Sequence, residues 1–265
     1  MVVTFDFDQQ IDRTNTGSVK FDARGKVFGT EDVLPMWVAD TDFAAPDEVV
    51  QALIARAGHP VYGYSLFPDT LYEAMIDWYA QRHDWHIERD WIMLAPGVVP
   101  SLHAVALAFA AEGEGIIIQP PVYPPFFSAA SKTARRLVIN PLVRVDGEYR
   151  MDLDHLEECA SQARILALCS PHNPVGRVWR EDELRALLEI ARRHDLLILS
   201  DDIHCDLTFA GHPHRMLATL AGEADRIITA VAPSKSFNIA GMGLSALVVP
   251  DPEHRQMLQR VFERM

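Results

Sequence analysis

ILALCSPHNPVG, residues 165–176, joins a continuous apolar run to a turn built from two prolines and a glycine. A run apolar at every position suits a strand covered on both faces, the condition of a parallel sheet with helices on each side. The same arrangement recurs downstream. LLILS at 196–200 precedes DDIHCD at 201–206, and RIITAV at 226–231 precedes APSKSFNIAG at 232–241. GIIIQ at 115–119 and SALVV at 245–249 are further strands, with weaker ones at Trp91–Leu94 and Arg136–Ile139. Helical spacing fills the intervals: Leu71, Ala74, Met75, Trp78; then Leu102, Val105, Ala106, Phe109; then Leu184, Leu187, Leu188, Ala191. Strands alternating with helices predict an α/β fold with a mostly parallel, seven-stranded, doubly wound sheet. In such sheets ligands bind beyond the carboxyl ends of the strands, so the polar segments after each run are where chemistry is sought.

Three of those segments stand out. Pro171, Pro174 and Gly176 fix the turn that presents Asn173, which read alone is a structural turn. Asp201, Asp202 and His204 place two carboxylates and an imidazole after a buried strand. That group reads as a helix cap, as a solvated loop, or as oxygen and nitrogen ligands for a divalent ion. Lys235 lies between Ser234 and Ser236 just past a strand, where partial desolvation lowers an amine's pKa and makes it a nucleophile. Each gap between Asn173, Asp201 and Lys235 has room for one helix and one strand.

Composition excludes other classes. The 265 residues are 49% hydrophobic and 23% charged, the balance of a soluble globular protein. A net charge of −13 with no basic cluster argues against nucleic-acid and anionic-membrane partners. Cys159, Cys169 and Cys205 are too few and too scattered for a disulfide framework or a zinc knuckle. The opening MVVTFDFDQQIDR has no apolar signal segment and no apolar run reaches spanning length, which predicts a cytoplasmic protein. His83, His86, His212 and His214 read as surface residues.

Taken together, SPHNPVGRVW, SDDIH and APSKSFNIAG resemble the class I/II aminotransferase family of pyridoxal-phosphate (PLP) enzymes. WVADTDF at 37–43, HPVYGY at 59–64 and APGVVPSL at 95–102 are similar to its cystathionine β-lyase-like, carbon–sulfur lyase branch. The resemblance implies roles for particular residues. Lys235 would hold the PLP aldehyde and later move protons at the substrate α-carbon, and Asp201 would keep the ring nitrogen protonated. Asn173 would donate to the ring's 3-oxygen, with His204 near that oxygen, and Tyr123 in QPPVYPPF would stack on the ring. The N–H groups of Val98 and Val99, at the start of a helix, would hold the phosphate with help from Ser234. Tyr64 would reach the phosphate of a neighbouring subunit in a homodimer. Tyr64 and Tyr123 are also candidates for catalysis, and no metal is expected.

Three positions depart from the family pattern. Ala232 stands where relatives often have serine, and Gly243 stands where many place an arginine on the phosphate. The chain also stops at Met265, within a helix expected after Pro252, whereas relatives continue into a small domain carrying an arginine for the substrate carboxylate. The expected organisation is an N-terminal segment, 1–45, belonging to that small domain; a PLP-binding large domain, 46–251; and the start of a connecting helix, 252–265. The implied activity is β-elimination from L-cystathionine or a related cysteine S-conjugate, giving pyruvate, ammonia and a thiol. The alternatives are transamination of amino acids, or PLP binding by a regulatory protein with little turnover.

Overall fold

A computed structural model describes residues 6–222 and 225–264. Among the described residues there are nine strands: β1 Ile92–Ala95, β2 Gly115–Ile118, β3 Arg136–Ile139, β4 Val143–Val145, β5 Glu148–Arg150, β6 Ile165–Cys169, β7 Leu197–Asp201, β8 Arg226–Val231 and β9 Ser245–Val248. The α-helices among the described residues are α1 Val19–Asp22, α2 Arg24–Phe28, α3 Asp47–Ala57, α4 Asp69–His83, α5 Val98–Phe109, α6 Pro125–Ser131, α7 Leu153–Ala160, α8 Glu181–Arg193 and α9 Pro252–Phe262. Seven strands form one sheet in the order β1-β9-β8-β7-β6-β2-β3, and only β9 runs against its neighbours. The fold is α/β with a mostly parallel, seven-stranded, doubly wound sheet, and every strand read from the sequence belongs to it.

Alternation explains why the central strands are mostly apolar. Ile116, Ile118, Ala167 and Leu199 pack into one core with Leu102 and Val105 of α5, Phe126 of α6 and Leu258 of α9. Their sequence neighbours Ile117, Leu166, Leu168 and Ile198 pack into a second core with Leu156 of α7 and Leu184 and Leu187 of α8. Successive side chains of a strand leave opposite faces, so a sheet with two cores makes the central strands mostly apolar, with the small hydroxyls of Ser200 and Thr229 as buried exceptions.

The chain divides into two compact units. The residues up to Ser65 together with Pro233–Met242 form one, and Leu66–Ala232 with Gly243 onward forms the other, which holds the large sheet. Helix α3 and the segment around Lys235 therefore group with the N-terminal residues, whereas the sequence placed the boundary at 45 and both stretches in the large domain. The N-terminal stretch also contains short helices α1 and α2 where no periodicity was legible. The β4–β5 hairpin was not expected either. Its turn, Asp146 and Gly147, has φ of 52° and 87°, the pair of left-handed conformations that an Asp-Gly hairpin turn requires.

Candidate active site

In the sheet unit, the polar groups gather where the parallel strands end. Asp201 is the last residue of β7, one residue deeper in the strand than the sequence suggested, and is buried. Its backbone pairs with Cys169 of β6 and Ala230 of β8, and its carbonyl accepts from Ser170 N at 3.0 Å. The carboxylate Oδ1 accepts from Ile203 N at 3.2 Å, which turns the chain directly beyond the strand. His204 is half-buried in that turn.

The turn after β6 is braced by residues that were quoted in the motif but given no role. His172 N donates to Arg177 O at 2.8 Å and Gly176 N to His172 O at 2.9 Å, with Gly176 in the left-handed region at φ 72°. The Trp179 indole donates to Cys169 O at 3.0 Å, and its ring meets the His172 ring edge-on at 5.4 Å. Arg177 pairs with Glu183 of α8 at 2.7 Å, and Glu183 also accepts from Arg180 N at 2.9 Å. Asn173 is held half-buried at the head of this turn, its N–H directed at Cys169 Sγ at 3.4 Å. His172 Nε2 lies 2.9 Å from Pro121 O, and a carbonyl only accepts, so Nε2 carries the hydrogen. That bond ties the Asn173 turn to the loop bearing Tyr123. Burial lowers the His172 pKa, so the ring is neutral.

Tyr123 is 39% exposed. Its hydroxyl pKa is raised, first by partial burial and then by the negative charge of Asp201. Tyr123, after β2, and the buried Asp201, at the end of β7, thus lie within electrostatic reach of one another at the carboxyl end of the sheet.

Helix α5 begins at Val98 directly after Gly97, and no side chain caps it. The first N–H groups of a helix have no partner within it, so those of Val98 and Val99 are directed outward at the positive end of a twelve-residue helix. Gly243 enters β9 next to this turn, with φ 65° and its missing Cβ 3.4 Å from Pro96 O. A left-handed backbone there accounts for glycine where an arginine was expected from the family pattern.

The other unit carries the remaining predicted residues. Asn238 donates from Nδ2 to Thr41 O at 3.1 Å and Phe43 O at 2.8 Å, and accepts from Thr41 N at 3.0 Å. Two motifs read separately in the sequence, WVADTDF and SKSFN, are therefore one hydrogen-bonded assembly. Lys235 Nζ donates to Ala39 O at 3.4 Å within it, and Ser234 is half-buried. Arg13 pairs with both Asp40 and Asp42, and Lys20 with Asp42 at 3.1 Å, which holds the same loop. Tyr64 is fully exposed.

Two histidines were misjudged. His83 and His214 were read as surface residues, but both side chains are buried against carboxylates: His83 on Asp206 at 2.8 Å and His214 on Asp202 at 2.6 Å. Their partners lie in the DDIHCD segment, far enough along the chain that spacing alone conceals the pairing. His86 and His212 are exposed as expected.

Residues 31–265 match the family model described as aminotransferase class I and II. The chain belongs to the class I and II aminotransferase family. Within and around that family, it is 40% identical over 261 residues to PatB, a cystathionine beta-lyase of Bacillus subtilis, covering 97% of this chain and 67% of that protein. Among solved structures it is similar to cystalysin from Treponema denticola, described as containing a pyridoxal 5'-phosphate cofactor. That match has a TM-score of 0.94 and 36% identity, covering 99% of this chain and 68% of that one. It is also similar to the PLP-bound C-S lyase from Staphylococcus hominis, with a TM-score of 0.89 and 31% identity, covering 98% and 67%. The chain thus spans about two thirds of the length of these class I and II relatives.

Proposed function

We propose that this chain is the PLP-binding part of a carbon–sulfur β-lyase acting on L-cystathionine or a related cysteine S-conjugate. The buried Asp201 carboxylate, at the ligand end of the sheet and within electrostatic reach of Tyr123, carries the cofactor reading. Its chemistry fits PLP: a fixed anion for a protonated ring nitrogen, an aromatic face, and an uncapped helix start for a dianionic phosphate. The lyase reading is supported by the 40% identity with PatB over nearly the whole chain.

When bound, PLP supplies an electron sink that makes the substrate α-proton acidic. The residues divide the remaining work. Lys235 holds the cofactor through its ε-amine and, once released, removes the α-proton. Asp201 keeps the ring nitrogen protonated by its charge. Asn173 would donate to the ring 3-oxygen, with His204 near it, and Tyr123 would cover the ring and exclude water. Val98, Val99 and Ser234 hold the phosphate. The bond from the β-carbon to sulfur breaks with its electron pair on sulfur, and Lys235 or a nearby tyrosine, Tyr64 or Tyr123, protonates the departing thiolate. Water then completes the reaction, which yields one thiol, one pyruvate and one ammonium per substrate. The protein works in the cytoplasm as a homodimer in which Tyr64 completes the phosphate site of the neighbouring subunit, with an amino acid as its small-molecule partner.

Transamination is the second reading, favoured by the family's own description, because it begins with the same proton removal by the same residues. The two reactions differ in their need for a keto acid. Pyruvate released from L-cystathionine with PLP alone, and lost in Lys235→Ala, is the expected result; turnover only when a keto acid is added would instead establish a transaminase.

A further inference from the structure

Behind Asp201 lies a group of buried ionisable side chains with no part in the chemistry above. Asp202 continues the strand alternation, so its side chain leaves the opposite side of the strand from that of Asp201. Its N–H extends the β7–β8 ladder by donating to Ala230 O at 2.9 Å. Its carboxyl group is fully buried, with Oδ1 2.6 Å from Nε2 of His214, whose side chain is 1% exposed. Asp202 Oδ2 and His214 Nδ1 are buried too, and neither has a hydrogen-bond partner.

A second pair fastens the far end of the same segment. Asp206 accepts from His83 Nε2 at 2.8 Å and from the Trp78 indole at 3.2 Å, both on α4. The His83 and His214 rings meet edge-on at 6.1 Å. His83, Cys205 and Asp206 bring their ligand-type atoms within 4.8 Å of one another, a set that by residue type suits a metal. Here, however, Asp206 is already engaged by two protein donors, and burial pushes the Cys205 thiol up so that it stays protonated. The cluster is satisfied as a tie between α4 and the turn.

A buried polar pair adds little stability over an apolar pair of the same shape, and one with an unpartnered atom on each side adds less. What it does supply is direction. The turn between the two ties is short: Ile203 N donates to Asp201 Oδ1 at 3.2 Å and Cys205 N to Asp202 O at 3.0 Å. We propose that His214 is a positioning residue, which through Asp202 fixes the turn whose Ile203 N–H orients the Asp201 carboxylate toward the cofactor ring nitrogen. This rests on the reading of Asp201 given above.

The test compares the full chain with His214→Leu, which deletes the donor, and His214→Gln, whose amide can still donate to Asp202. Amide hydrogen exchange is followed before PLP is added, and PLP affinity is then titrated by absorbance. His214→Leu is expected to speed exchange at Asp202 and Ile203 by about tenfold or more while leaving Ile116–Ile118 of β2 unchanged. It is also expected to weaken PLP binding by about tenfold, the scale of one buried charged hydrogen bond. His214→Gln keeps both near wild type. Unchanged exchange at residues 202–203, exchange rising equally in β2, or unchanged PLP affinity in His214→Leu would each overturn the proposal. If His214→Leu does not fold, Asp202→Asn replaces it and is read by the same criteria. A wild-type chain that binds no PLP would defeat the cofactor reading, and the exchange pattern would then decide the role of His214 by itself.

Discussion

At the scale of single residues, His172 and Asp201 make opposite demands of burial. His172 is neutral in the folded chain because burial lowers its pKa below the ordinary 6.5. The unfolded chain therefore binds a proton near pH 6.5 that the folded chain refuses, so stability is full above that pH and declines as acid carries the solution down toward the folded value. Chemical denaturation between pH 8 and 5 is expected to show this decline in wild type and a flatter profile in His172→Gln; equal profiles would refute it. In the proposed site Asp201 would instead have to stay charged where it is buried, which a cationic ring nitrogen would make tolerable. Asp201→Asn keeps the volume and removes the charge, and is expected to lower PLP affinity by about a hundredfold or more, the scale of a buried ion pair losing one partner. Titration of the variant with PLP, checked against an unchanged melting temperature, reads that effect. Asn173, Asp201 and Lys235 stand out in the sequence as candidates because each lies within four residues of the end of an apolar run. His214 and His83 were not, because a buried histidine differs from a surface one only by its partner. For His83 that partner, Asp206, lies 123 residues away.

At the scale of elements, the start of α5 offers a clean intervention. Gly97 has ψ 159°, the extended conformation that a residue before proline prefers, and proline is well tolerated at the first helical position. Val98→Pro therefore removes one N–H donor without breaking the helix. It is expected to weaken PLP binding by about tenfold, the scale of one hydrogen bond to a charged group, while pyridoxal, which lacks the phosphate, binds unchanged. Equal weakening of both ligands would mean that the helix start does not hold the phosphate. The seven strands of the sheet were legible because two covering cores make nearly every central position apolar, Ser200 and Thr229 excepted. The β4–β5 hairpin escaped because its strands are three residues each with exposed or half-buried side chains, although Asp146-Gly147 carried its turn signal. Helices α1 and α2, at four and five residues, are too short to show a period.

At the scale of the whole molecule, the unit that holds Lys235 is drawn from two distant parts of the sequence, which no local pattern reveals. Asn238 joins them by three hydrogen bonds to the WVADTDF loop, so the resemblance in both motifs has a common structural cause. In that same unit the side chains of Leu34, Met36, Val61, Tyr62 and Tyr64 are more than 60% exposed, and the proposed dimer would bury such residues. Sedimentation equilibrium is expected to give twice the 29.7 kDa chain mass, and a monomer at micromolar concentration would remove Tyr64 from the proposed site. The central claim is that Lys235 carries the cofactor in a chain that cleaves carbon–sulfur bonds. The most direct measurement is to incubate the full chain with PLP, reduce it with borohydride, and locate the added mass by peptide mass spectrometry. Modification is expected on the peptide bearing Lys235 and none in Lys235→Ala, with unreduced wild type releasing pyruvate from L-cystathionine. Modification elsewhere, or undiminished in Lys235→Ala, would contradict it.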